Sequence, residues 1–251
     1  MSTWQIVFML AVGAFAGWVD AVVGGGGLLQ IPAMFLAIPG IPAATASGTS
    51  KVAAAPGTAV AAVTFSRGVE LDKRFGAAAG AIACCFSAGG AWLASSIPSE
   101  VLKPIIISVL ICVAAFMALR PKFGSGEQEK PKTRRRRMAA YLTTGCVIGF
   151  YDGFIGPGTG VFLIIALTSI LGTSFVQSSA ASKIINLITY AGSITIFAMH
   201  GHVMWLLGLS MGVLNMLGGR LGARMALTRG ARFARVVLLL AVLGTAARLA
   251  L

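Results

Sequence analysis

Two polar constellations stand inside otherwise apolar sequence, and each occurs twice. The first is Gly17-Trp-Val-Asp20-Ala-Val-Val-Gly24-Gly-Gly-Gly27, echoed by Gly149-Phe-Tyr-Asp152-Gly-Phe-Ile-Gly156-Pro-Gly-Thr-Gly160. The second is Thr45-Ala-Ser47-Gly-Thr49-Ser50-Lys51, echoed by Gln177-Ser-Ser179-Ala-Ala-Ser182-Lys183, with Asn186 one turn later. An ammonium flanked by hydroxyls offers charge and several donors to an oxyanion. Glycine runs break a helix, and a broken helix exposes backbone N–H groups whose dipole attracts anions. Candidate substrate ligands are therefore Lys51, Lys183, Ser50, Ser182, Thr49 and Asn186, with Gly25, Gly26, Gly158 and Thr159 at the breaks. Asp20 and Asp152 are candidates for gating or proton coupling, because a carboxylate in apolar surroundings must be paired, protonated or hydrated. Two blander readings compete. The lysines could snorkel or sit in structural ion pairs with Asp20 or Asp152, and the glycines could serve only close helix packing.

The elements that must hold these residues are membrane helices. The chain is 57% hydrophobic and 11% charged, with a mean hydropathy of +0.88, against about 25% charged in soluble domains. Apolar stretches run over Trp4–Val23, Phe75–Ile97, Ile105–Leu119, Ala139–Ile155, Val203–Thr228 and Val236–Leu251. Such lengths cross a bilayer as helices, since unsatisfied backbone groups are too costly in hydrocarbon. At about 1.5 Å per residue, Asp20 lies roughly 24 Å along a helix that enters at Trp4. Lys51 lies roughly 13 Å into a helix that starts at Pro42. The fold class is all-α: a polytopic membrane bundle of about eight full spans and two short broken or re-entrant segments. The first span begins without a cleavable leader's basic region, and a multi-pass inner-membrane location follows. The net charge of +13 gathers at span ends, which suits orientation and lipid phosphates rather than nucleic acid.

The duplication is gapless at an offset of 132 residues, from Asp20 to Asp152 and from Lys51 to Lys183. It also relates Gly13 to Gly145, Gly17 to Gly149, Gly24 to Gly156, Ser50 to Ser182 and Gly90 to Gly222. It divides the chain into a first repeat (1–119), a basic linker (120–138) and a second repeat (139–251). A linker with Arg134–Arg137 should be cytoplasmic. If the chain reverses near Gly24–Gly27, with Leu28–Leu36 as a half-helix, each repeat crosses an odd number of times. The repeats are then inverted, and Arg67, Lys73 and Arg74 join Arg224–Arg235 on the cytoplasmic side. That satisfies the positive-inside rule, whereas parallel repeats break it.

Other chemistry is thin. Cys84, Cys85, Cys112 and Cys146 form no CxxC pair, so neither a disulfide framework nor a metal site is expected. His200 and His202 read as interfacial residues at a turn. No GxxxxGK[ST], HExxH or GxSxG motif occurs, which argues against ATP drive, any cofactor and an enzyme.

The ordered, duplicated set of Gly17–Gly27 and Ser47–Lys51, repeated after a basic linker, resembles the sulfite exporter TauE/SafE family over essentially the whole chain. The resemblance implies a membrane transporter of sulfite, sulfoacetate or related organosulfonates. In the second half Gly156-Pro157-Gly158-Thr159-Gly160 replaces the glycine run and no counterpart of Pro32 follows, so the halves are expected to divide their labour. The expected function is secondary transport of a small sulfur-containing anion bound between the repeats. The partners are that anion, the lipid bilayer, protons as a candidate coupling ion and, as an open case, further copies of the chain. The alternative is a proton- or cation/metal-coupled exporter that uses the paired aspartates.

Overall fold

The computed structural model describes residues 2–119, 131 and 133–249, and these are almost entirely helical. The bulk of the basic linker, 120–130 and 132, lies outside the described residues, and so does its cytoplasmic placement. Helix α1 (Thr3–Val23) starts in a capping box of Ser2 and Gln5 and stops where Gly24 turns left-handed, at φ 81°. A short α2 (Gly27–Ala37) follows, then α3 (Ala43–Gly68), α4 (Lys73–Ser96) and α5 (Ser99–Leu119). Past the linker, α6 (Arg134–Tyr141), a π-helical turn (Leu142–Val147) and α7 (Ile148–Phe154) make one interrupted rod. Then come a short α8 (Thr159–Leu171), α9 (Phe175–Met199) and α10 (Trp205–Leu249), the last bent at Gly230. Arg134–Arg137, read from sequence as linker, form the first turn of α6, which Thr133 caps.

Among the described residues, four helices are long and apolar enough to cross a membrane: Thr3–Val23, Lys73–Ser96, Phe175–Met199 and Trp205–Gly230. Helix α3 has the length, at 26 residues, but its run of hydroxyls and Lys51 lowers its hydropathy. At roughly 1.5 Å per residue, the 11 residues of α2 reach only about 16 Å. Large apolar side chains such as Trp4, Phe15, Trp92, Leu206 and Leu217 face outward. Meanwhile Asp20, Gln30, Lys51, Asp152, Lys183 and Asn186 are buried. That inside-out distribution fits a bundle whose solvent is lipid.

Packing exchanges elements between the two halves of the chain. Helix α1 lies on α10, and α7 with its π turn lies on α4; α3 lies on α10, and α9 on α4. Small residues make these contacts close. A side-chain carbon on Gly17 would sit 2.3 Å from the Asn215 carbonyl oxygen, so only glycine fits there. One end of the bundle collects the basic turns: Arg137 pairs with Asp72 at 3.0 Å, and Gly68 meets Leu227. Phe65, Leu71, Val176 and Leu227 pack together at that end.

Candidate functional site

The site begins with two helix breaks that touch. Gly24 and Gly160 face each other so closely that a side-chain carbon on either would lie within 2.5–2.6 Å of the other's backbone. Gly24, Gly156 and Gly158 hold φ near 81°, 90° and 82°, a region that glycine enters freely. The second break is further tied by the Tyr151 hydroxyl, which donates to the Pro157 carbonyl, and by Thr159 Oγ1, which donates to Gly156 O. Asp20 and Asp152 occupy the helices that lead into these breaks.

Against the breaks lie the polar faces of α3 and α9, and here the ion pairs cross. Lys51 Nζ donates to Asp152 Oδ2 at 2.9 Å and to Asp152 O at 2.6 Å. Lys183 Nζ donates to Asp20 Oδ2 at 2.7 Å and also to the Asp20 carbonyl. Each lysine thus closes on the aspartate of the opposite half. Ser87 Oγ adds a long donor to Asp152 at 3.4 Å. Thr58 Oγ1 and the Gly26 N–H each approach Asp20 at 3.3 Å. Buried ions need such partners, because an isolated charge in a low-dielectric interior is prohibitive.

Between the breaks and these helices is a cavity of about 20 Å³, lined by Asp20, Ser47, Ser50, Lys51, Asp152 and Asn186 among others. That volume suits a water molecule and is far too small for a sulfur oxyanion. Gly27 and Thr159, the first residues of the two short helices, also reach it, as do Gly158 and Tyr190. The remaining sequence candidates sit elsewhere. Lys183 is sealed behind its aspartate and does not line the cavity. Ser182 Oγ donates to the Ser179 carbonyl, and Thr49 Oγ1 accepts the Met204 N–H. Gly25 and Gly26 are off the lining, and Gln177 is spent in the cap of α9 with Ser174.

Two residues escaped the sequence reading. Gln30, fully buried on α2, accepts from Ser50 Oγ at 2.8 Å, and its Nε2 has no partner among the described residues. A lone amide in the apolar run Leu-Leu-Gln-Ile-Pro was the available signal. Tyr190 sets its ring 5.2 Å from Lys51 Nζ, and its position answers to Thr58 across the duplication. His202, outside the spans, has its Nδ1 3.2 Å from Thr45 Oγ1. Burial, aided by the neighbouring His200, holds its imidazole below the usual range, against a hydrogen bond that the ring donates to the Ser95 backbone. Neither histidine lines the cavity. Among the described residues no group of three or more His, Cys, Asp or Glu is placed to hold a metal ion.

This architecture has relatives. The sulfite exporter TauE/SafE family matches residues 9–249. The chain belongs to that family. The chain is 33% identical to the probable membrane transporter protein ORF9 of Sinorhizobium sp, over 97% of its own length and 92% of the relative's. It is likewise 33% identical to the probable membrane transporter protein YfcA of Escherichia coli K12, over 96% and 91%. The probable membrane transporter protein YdhB of Bacillus subtilis is more distant, at 25% identity over 87% and 88%. No solved structure matches. As a TauE/SafE member with these outward apolar helices, the chain is a multi-pass transporter of the inner membrane.

Proposed function

We propose that the chain is a secondary transporter of a small sulfur-containing anion, sulfite, sulfoacetate or a related organosulfonate, taken up between two inverted repeats. The observation that carries this reading is the crossed pair of lysines and aspartates around a cavity too small for the substrate. The arrangement is a closed state. An anion that reaches Lys51 competes with Asp152 for its ammonium, and the freed carboxylate is neutralised by a proton. Ser50, Asn186 and the N-termini of α2 and α8 add hydrogen-bond donors and positive dipole. Helix breaks at corresponding places in two repeats are how secondary transporters build midplane sites.

Helix direction supports the inverted arrangement. Helix α4 begins at the basic end of the bundle, beside the start of α6, whereas α10, its counterpart by sequence offset, reaches that end only near Leu227. Helix α3 likewise ends there while α9 starts there. Counting α3, α5, the α6–α7 rod and the segment past Gly230 as spans gives eight full crossings plus α2 and α8. The cation-exporter alternative gains nothing from the site, since both aspartates already hold lysines.

Purified protein in proteoliposomes separates the readings. Saturable uptake of labelled sulfite, sulfoacetate or taurine that responds to a pH gradient and ignores divalent cations is the expected result. Flux that needs a divalent cation and no anion would overturn it.

A further inference from the structure

We infer that the site has one working lysine: Lys51 receives the anion and Asp152 its accompanying proton, while Lys183 and Asp20 form a fixed strut, so the cargo is a monoanion. This deepens the anion-transport reading and rests on it.

The two pairs differ in what surrounds them. Lys51 and Asp152 both line the cavity, and the Lys51 ammonium lies under the Tyr190 ring. Ser47 Oγ and Asn186 Oδ1 belong to residues only 1% exposed, line the same cavity and have no hydrogen-bond partner among the described residues. Buried polar atoms are seldom left unpaired without a role. A hydroxyl donor and a carboxamide that can turn its NH₂ inward are what an oxyanion beside Lys51 would engage. Ser179, at the matching offset from Ser47, also lacks a partner among the described residues but does not line the cavity.

The Lys183 pair reaches the cavity only through Asp20, and Lys183 itself does not line it. Its ammonium is fully buried and gives two hydrogen bonds to Asp20. Asp20 in turn receives the Gly26 N–H and the Thr58 hydroxyl. Displacing Lys183 would unlatch the α1–α2 break, whereas among the described residues the Asp152 carboxylate has, besides Lys51, only Ser87 at 3.4 Å.

Charge balance fixes the cargo. The groups that face Asp152 are Lys51 from α3, Ser87 from α4, Tyr190 from α9, Asp20 across the cavity from α1, and neighbouring Tyr151 on α7. Asp20 is already neutralised by Lys183. When Lys51 turns to an anion, Asp152 keeps no counter-charge and binds a proton, because an unpaired buried carboxylate is untenable. One cation then meets one negative charge, which narrows the cargo to hydrogen sulfite or an alkanesulfonate and excludes dianions such as sulfate and fully ionised sulfoacetate.

The test compares proteoliposomes holding wild type, Lys51→Gln/Asp152→Asn and Lys183→Gln/Asp20→Asn. Labelled methanesulfonate uptake, competition by sulfate and protons entered per anion are read together. The strut variant should lose thermal stability, yet keep KM within about threefold and the one-proton ratio. The Lys51 variant should lose uptake by more than about tenfold, with sulfate a poor competitor throughout. Asp152→Asn alone should uncouple uptake from the pH gradient. If the strut variant does not fold, the swap Lys183→Asp/Asp20→Lys takes its place; failure of both, with the Lys51 variant well folded, supports the strut. Equal KM changes in both folded pair variants, or sulfate carried as well as methanesulfonate, would overturn the single-lysine site. A wild type that moves no sulfur anion would instead overturn the anion reading itself.

Discussion

The Lys51–Asp152 and Lys183–Asp20 pairs are built from the same residue types at the same offset, yet they live in different surroundings. Their contact distances are close, 2.9 and 2.7 Å. What differs is access to the lysine: Lys51 borders a cavity with unpartnered polar atoms, whereas Lys183 is fully buried behind Asp20, which is tied to the Gly24–Gly27 break. Residues that match in type at one sequence offset can thus end in different packing, which is where the proposed division between the two lysines originates.

The largest effect that would sharpen this contrast is on stability. Lys183→Ala leaves Asp20 buried without its cation, a loss of about 3–5 kcal/mol, visible as a steep fall in Tm in detergent. Lys51→Ala should lower Tm less, because Lys51 itself borders the cavity and water can take the place of its ammonium, whereas Lys183 is fully buried. Equal falls would erase the difference between the pairs. Next comes transport. Asp152→Asn should abolish the response of uptake to a pH gradient, while Asp20→Asn should leave that response in place. Gly24→Ala forces a side chain into a φ of 81° and against Gly160, a strain of about 1–3 kcal/mol, and should reduce uptake in proportion. The smallest effect is expected of Tyr190→Leu. Loss of a cation–π contact worth about 1 kcal/mol should shift KM a few-fold with little change in Tm.

Much of this was legible before any coordinates. The hydropathy announced membrane helices, and the matched Asp and Ser-Lys segments named all four charged residues at the centre. Sequence alone allows both an ion-pair and a ligand reading of the lysines, and the geometry shows the ion pairs; that a ligand opens one of them belongs to the proposal. The crossing between halves was not legible, because sequence offset says which residues correspond and nothing about which ones meet. Nor could it separate Lys51 from Lys183. That distinction arises from Tyr190 standing where the first half has Thr58, and from Gly26 and Thr58 both reaching Asp20. Ser182 and Thr49 show the converse: a hydroxyl near a lysine in sequence can be spent on its own helix or on a neighbouring turn.

The most direct measurement is equilibrium binding of methanesulfonate or hydrogen sulfite to purified protein by titration calorimetry, wild type beside Lys51→Ala. One saturable site per chain in the wild type and none in folded Lys51→Ala is the result expected. Equal affinity in both proteins would contradict a site centred on Lys51.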